Sequence, residues 1–332
     1  VQAGIKFRLS LLMVALALGT AACSQAPEPV TGLAGPVYPL QNIELVVGYT
    51  AGGGTDVVAR MVAKAAEKYM PNGKTITVIN KPGGSGTNAL VDLMQAKPDG
   101  HRLGSVSAGS LAIQPNYGKT PFTPDSFIPI AQFNSAPNVL AVRADAPWQT
   151  YEEWVAWVKQ YPGRFTYGSS GAGNTQHLAM EAVNILEDIQ TRHVPYDGAA
   201  PSIDALLDGH VQGVIVLSQE AKPHVDAGSM RVLANLGTSP TKAYPDAVFL
   251  RERGFIGLDT WSGVVAAKGT PKEIVNTLRD VFRKAMHDPL LKEEFKNIGL
   301  EPAYADSKEF AEIIARTSKL TGDVAKVIGL VK

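Results

Sequence analysis

Two stretches of this chain follow one plan, in which an apolar strand runs into a glycine-rich loop that opens a helix. In the first, Ile43–Val47 leads through Gly48-Tyr-Thr-Ala-Gly-Gly-Gly-Thr-Asp56 into a segment with Val57, Val58, Met61, Val62 and Ala65 on its apolar side. Thr55 is the expected N-cap. In the second, Phe165–Tyr167 leads through Gly168-Ser-Ser-Gly-Ala-Gly-Asn174 into a segment carrying Thr175, His177, Leu178, Val183 and Leu186. Strands that alternate with helices in this way predict an α/β fold, a mostly parallel sheet with helices on both faces.

The rest of the mature chain keeps the rhythm. Ile76–Ile79 is a strand, followed by a short helix from Asn88 to Ala96 and a strand from His101 to Val106. Thr120 to Pro129 holds three prolines and no clean periodicity, which predicts a surface connection. Val139–Val142 is a strand, and Thr150-Tyr-Glu-Glu153 is a capping box opening a helix with Trp154 and Trp157 on one face. Further on come the segment His193–Gly198, a helix over Ser202–Leu207, a strand at Val214–Leu217, a helix at Ala221–Asp226 and a strand at Arg231–Ala234. A strand at Trp261–Ala266 and helices at Lys272–Met286 and Lys308–Ile328 close the chain. The organisation is two α/β lobes.

Lys6 and Arg8 precede the apolar run Leu9–Gly19 and the small residues Thr20-Ala-Ala22, the pattern of a secretory signal peptide over 1–22. The run is shorter than the roughly 20 residues that span a bilayer. The single cysteine, Cys23, follows directly and is similar to the acylated first residue of a bacterial lipoprotein, with 23–40 as a Pro/Gly/Ala-rich tether. The expected location is therefore the periplasm or cell surface, with a lipid anchor at Cys23. Formal net charge is zero and no Lys/Arg run is present, which argues against a nucleic-acid partner.

Successive glycines before a helix let backbone N–H groups approach an anion, and the helix terminus favours negative charge. The candidate binding residues are Tyr49, Thr50, Ala51, Gly53, Gly54, Thr55 and Asp56 in the first loop. The second loop offers Ser169, Ser170, Gly171, Asn174 and Thr175. Asp56 is expected to cap or order its loop. His177 reads equally as a packing residue or a ligand donor, and Asp197 as a ligand acceptor or a turn residue. No GxxxxGK[ST] or G-x-G-x-x-G is present, so no nucleotide cofactor is expected. The six histidines have no H-x-H or H-x-x-x-H spacing, which leaves no metal site. No G-x-S-x-G frames a serine, so a hydrolase or lyase built on Ser170, His177 and Asp197 is the rival rather than the leading reading.

The segments Val46–Arg60, Asn80–Gly86, Pro98-Asp-Gly100, Tyr167–His177, His193–Gly198, Pro223–Leu233, Trp261-Ser-Gly263 and Gly269-Thr-Pro271 resemble the substrate-binding proteins of tripartite tricarboxylate transporters, the Bug or TctC-like family. The resemblance runs from about 43 to 315. It implies a two-lobed fold of the periplasmic-binding-protein type. Lobe 1 would be 41–140 plus 260–332 and lobe 2 would be 141–259, with hinge segments near Leu140–Arg143 and Trp261–Val265. It also implies capture of a di- or tricarboxylate such as citrate, no enzyme activity, a monomer, and delivery to inner-membrane transporter subunits. Ser107 joins the candidate site on this ground. An exported sensory lipoprotein with the same cleft is the alternative.

Overall fold

In a computed structural model of the protein, residues 38–117 and 120–327 are described. The expected signal peptide, Cys23 and all but the end of the tether lie outside them.

The first sheet is built around β1 (Ile43–Val47), with β2 (Ile76–Asn80) and β3 (Arg102–Ser107) parallel to it; Leu45 stands opposite Val78 and Leu103. Four of the five β1 residues, Ile43, Leu45, Val46 and Val47, are fully buried, as a strand covered on both faces requires. The crossovers are α1 (Gly54–Glu67) and α2 (Thr87–Gln95). The buried residues of α1 are Val58, Ala59, Val62, Ala63 and Ala66, joined by Gly54 and Asp56 at its start. Strand β3 ends in a π-helical turn, Ala108–Ile113, continued by the short α3 (Gln114–Tyr117).

The chain then enters β4 (Phe127–Arg143), 17 residues long and shared by both sheets. The second sheet follows with α4 (Tyr151–Gln160), β5 (Thr166–Ser169), α5 (Thr175–Glu187), β6 (Arg192–Pro195), α6 (Ala199–Leu207), β7 (Gly213–Leu217), α7 (Ser218–Asp226), β8 (Met230–Asn235) and the two-residue β9 (Val248–Phe249). The path returns through β10 (Asp259–Ala267), α8 (Lys272–His287), α9 (Pro289–Asn297), β11 (Pro302–Ala305) and α10 (Ser307–Val327). Strands β5, β6 and β7 are mutually parallel, while β4 and β10 run antiparallel to their neighbours, so both sheets are mixed rather than mostly parallel as expected.

The first half of β4 pairs with β10 as far as Pro137 opposite Asp259, and from Asn138 onward it pairs with β7 and β8. The two sheets therefore exchange strands at Pro137/Asn138 and at Leu258/Asp259. Leu140–Arg143, expected as a crossing, lies inside the second sheet. The surface connection expected to end at Pro129 is also corrected, because β4 already begins at Phe127. Proline lacks the ladder N–H, so Pro129 and Pro137 disguise this strand in the sequence. Pro129 is accommodated beside a register shift between Val264 and Val265. Neither α9 nor β11 was expected. Pro289 stands at the first position of α9, where a missing N–H costs nothing, and the Asp288 side chain accepts from Leu290 N–H at 2.9 Å.

Helices cover both faces of both sheets. One core joins β1 to α1 and α8, and a second packs Leu90, Leu93 and Phe310 against the opposite face. In the second sheet Trp154, Phe165 and Leu178 form one core, while Ile203, Leu206 and Val214 form the other. Helix α10 places Phe310 and Ile314 in a first-sheet core and Ala325 in a second-sheet core.

Candidate functional site

The loop between β1 and α1 is fixed from below by Asp56. Its carboxylate accepts from Gly52 N–H at 2.9 Å, Arg60 Nε at 3.0 Å and Asn80 Nδ2 at 2.7 Å, and Asn80 also donates to the Tyr49 carbonyl at 3.0 Å. Burial alone pushes this carboxyl up; the hydrogen bonds from Arg60, Gly52 and Asn80 outweigh it and hold the carboxyl below its usual range. Asp56 thus orders the loop. The N-cap of α1 is Gly53 rather than Thr55, a residue with no side chain of its own to cap the helix. Its first amides are consequently left for other acceptors.

Tyr49 turns inward. Its hydroxyl donates to the Ser85 carbonyl at 3.0 Å and lies 2.8 Å from Ser107 Oγ, and burial pushes it up to about 12. Ser107 in turn caps the π-helical turn, accepting from Ser110 N–H at 3.3 Å.

In the second sheet, Asn174 is the N-cap of α5 and accepts from His177 N–H at 2.9 Å. Ser170 is held by Gln176, whose Oε1 accepts from Ser170 N–H at 2.7 Å and from its hydroxyl at 2.6 Å. Thr175 bonds Thr260 on β10, a contact between the two sheets. Other contacts between the loop sets are Ser85 Oγ to the Ala172 carbonyl at 2.7 Å, Gln114 Nε2 to the Gly173 carbonyl at 3.0 Å and Thr50 N–H to the Asp197 carbonyl at 3.3 Å.

These loops close around a small cavity of about 20 Å³. Of the residues expected from the sequence, Tyr49, Gly53, Gly54, Thr55, Ser107, Ser170, Asn174 and Thr175 line it. Thr50 is not among them, and its Oγ1 is buried with no hydrogen-bonding partner. Ala51 is exposed, and Asp56, Ser169, Gly171, His177 and Asp197 are not among the lining residues. Asp197 is exposed and contributes only its carbonyl. The sequence reading missed Gly109, Gln176, Ala199, Leu217, Glu220 and Thr260. Ala199 follows β6 and Leu217 ends β7, and that position was the available signal. Glu220 is the one charged side chain among the described lining residues, and it falls just before the helix expected at Ala221–Asp226.

Ser169 and His177 belong to a packed cluster. Ser169 Oγ lies 2.7 Å from His193 Nε2, and the His177 and His193 rings stack at 4.1 Å. His177 Nδ1 accepts from Gly173 N–H at 3.0 Å, which places the ring proton on Nε2. Burial lowers His177 to about 4; burial, and then the charge His177 would carry, lowers His193 to about 3. Ser170, His177 and Asp197 therefore do not form a catalytic group: the serine is held by Gln176, the imidazole stacks on His193, and the aspartate faces solvent.

The sign of the resulting pH dependence is fixed. Both histidines titrate lower folded than at the ordinary 6.5, so the unfolded chain binds more protons as pH falls below that value. Their contribution is complete above about pH 6.5, the ordinary histidine value, and is lost progressively as pH falls toward 4 and then 3. Glu220, raised to about 7 by burial, acts in the opposite sense over this range, so the histidine part is read as a difference: between pH 7 and pH 4.5, His193→Asn should keep more of its Tm than the unaltered chain. An unchanged slope in that variant contradicts the assignment.

Two mixed sheets sharing a strand, with helix N-termini from both directed at one polar cavity, define a solute-binding protein of the periplasmic type. The family model described as the tripartite tricarboxylate transporter family receptor matches residues 58–330, and the chain belongs to that family. The chain is 36% identical over 325 residues to a Cupriavidus necator relative named UPF0065 protein in gbd 5'region, covering 96% of each chain. A TctC solute-binding protein from Polaromonas, solved with no ligand, is 37% identical; 87% of this chain and 99% of that one superpose with a TM-score of 0.65. Rpa4515 from R. palustris, solved with adipate, is 26% identical; 89% and 99% of the two chains superpose with a TM-score of 0.83. Family members are periplasmic binding proteins that serve transport, so the chain is a receptor and not an enzyme.

Proposed function

We propose that the protein captures a small di- or tricarboxylate, of the size of adipate or citrate, between its two lobes and delivers it to a tripartite transporter in the inner membrane. The observation that carries this reading is the convergence of the α1 and α5 N-termini, one from each sheet, on the cavity lined by Gly54, Ser170 and Asn174. Helix termini and hydroxyls are donors suited to carboxylate oxygens. The unpartnered Thr50 Oγ1, in the same loop as Gly54, is a further donor.

A cavity of about 20 Å³ holds little more than a water-sized group. Entry of a dicarboxylate therefore requires the loops to part and close again, with the first sheet and its helices moving against the second. Rpa4515 with adipate superposes better than the more similar Polaromonas protein with no ligand, which supports two arrangements of the lobes. Export through the 1–22 signal peptide and acylation at Cys23 complete the reading, with a monomer as the working form.

The test is a thermal-shift panel on refolded protein with citrate, succinate, malate, adipate, acidic amino acids and neutral sugars. A carboxylate-selective rise of several degrees at ligand far above Kd is expected. Stabilisation by sugars alone would overturn the proposal.

A further inference from the structure

The carboxylate of Glu220 does what a bound anion would do. One oxygen accepts from Gly54 N–H, the first residue of α1, at 2.6 Å, and the other accepts from Leu217 N–H, the N-cap of α7, at 2.8 Å. A side chain from the second sheet thus bridges two helix N-termini across the cleft. Glu220, Gly54 and Ala199 line both the small cavity and a neighbouring one of about 420 Å³. The larger space is mostly apolar, with Val57, Ile203, Pro223 and Ile298 in its wall, and it suits a four- to six-carbon body. Gln219 also lines it, with both polar ends of its side chain buried and unpartnered. A carboxylate placed at the α1 terminus from either cavity lies against Glu220.

We propose that Glu220 is the specificity partner of a ligand carboxylate, and that the anion is captured together with one proton held between that carboxylate and Glu220. This rests on the carboxylate-binding reading above. Two carboxylates in contact cannot both stay ionised in a partly desolvated site, and a shared proton turns the repulsion into a hydrogen bond.

Among the described residues, the surrounding charges leave Glu220 without a competing cation. Tyr49, facing it from the β1–α1 loop, is kept neutral by burial, and Asp56 on α1 is engaged by Arg60 and Asn80. Lys222 on α7 is paired with Asp226 at 2.7 Å. His224 on α7 and Asp204 on α6 line the larger cavity, and α9 adds only Asn297 and Ile298. Glu220 as a residue is part-buried, but desolvation of its carboxylate raises it to about 7, against the opposing hydrogen bonds from Leu217 and Gly54. A second carboxylate moves it higher still. Above pH 7 binding must then take up a proton; well below pH 7 the proton is already present.

The experiment is calorimetric titration of the full chain with adipate, malate and succinate at pH 8 and pH 5.5, in buffers of different ionisation enthalpy. Uptake approaching one proton per ligand is expected at pH 8 and little at pH 5.5. Affinity should fall by up to about tenfold per pH unit above pH 7. Glu220→Gln, checked for its fold by thermal melting, should bind with neither proton uptake nor that pH dependence. Binding by the unaltered chain at pH 8 with no proton uptake overturns the role of Glu220 and leaves the carboxylate reading standing. Failure of every carboxylate to bind at either pH overturns both.

Discussion

Trp154→Ala should destabilise the protein by roughly 3–5 kcal/mol, the usual range for removing a fully buried aromatic. Trp154 has no exposed surface and packs edge-on to Phe165 at 5.3 Å and against Tyr151 at 5.4 Å. Trp148 also meets Phe165, at 5.5 Å, so one deletion loosens a chain of rings that seals α4 onto the second sheet. Its indole N–H is buried without a partner, so truncation does not break a hydrogen bond and the loss is one of packing. Chemical denaturation should report the change, with Tm falling by about 10 °C. A loss below about 1 kcal/mol would mean that this cluster does not hold the second sheet together.

The second large effect is on binding. Gly198 lies at the start of α6, and a Cβ there would run into Thr50 Oγ1, with Thr50 N at 3.3 Å and Thr50 Cβ at 3.4 Å. Thr50 belongs to the first loop and Gly198 to the second sheet, so Gly198→Ala is a wedge placed where the two loop sets meet. Overpacking of this kind costs about 1–3 kcal/mol. Because the added methyl obstructs only closure, the cost should appear as a loss of affinity of about 10–100-fold with little change in Tm. Thr50→Gly in the same chain removes the obstructing hydroxyl and methyl, and the double variant should recover part of the loss. Equal affinity in Gly198→Ala and the unaltered chain would show that the loops need not approach this closely when ligand is held.

Much of this architecture is legible in the sequence because periodicity and turn chemistry agree with it. The capping box Thr150–Glu153 opens α4 as expected, with Thr150 Oγ1 accepting from Glu153 N–H at 3.2 Å. The two glycine loops do precede α1 and α5. What escaped has identifiable physical causes. Strand β4 is hidden by prolines at a register shift and at a sheet boundary, positions where a missing N–H is tolerated. His177 gave no hint of its direction, because the decision rests on a ring from β6, His193, that only the fold brings beside it. Glu220 escaped for the same reason. Its nearer partner, Leu217 N–H, is three residues back, but its second, Gly54, is 166 residues away.

The central claim, that backbone amides of opposed helix termini hold carboxylates, is tested most directly by titrating the purified chain with adipate and with adipic diamide. The two share length and shape and differ in charge and acceptor strength. Saturable binding of adipate with at least a hundredfold preference over the diamide is the predicted result. Equal affinity for both, or binding of the diamide alone, would contradict it.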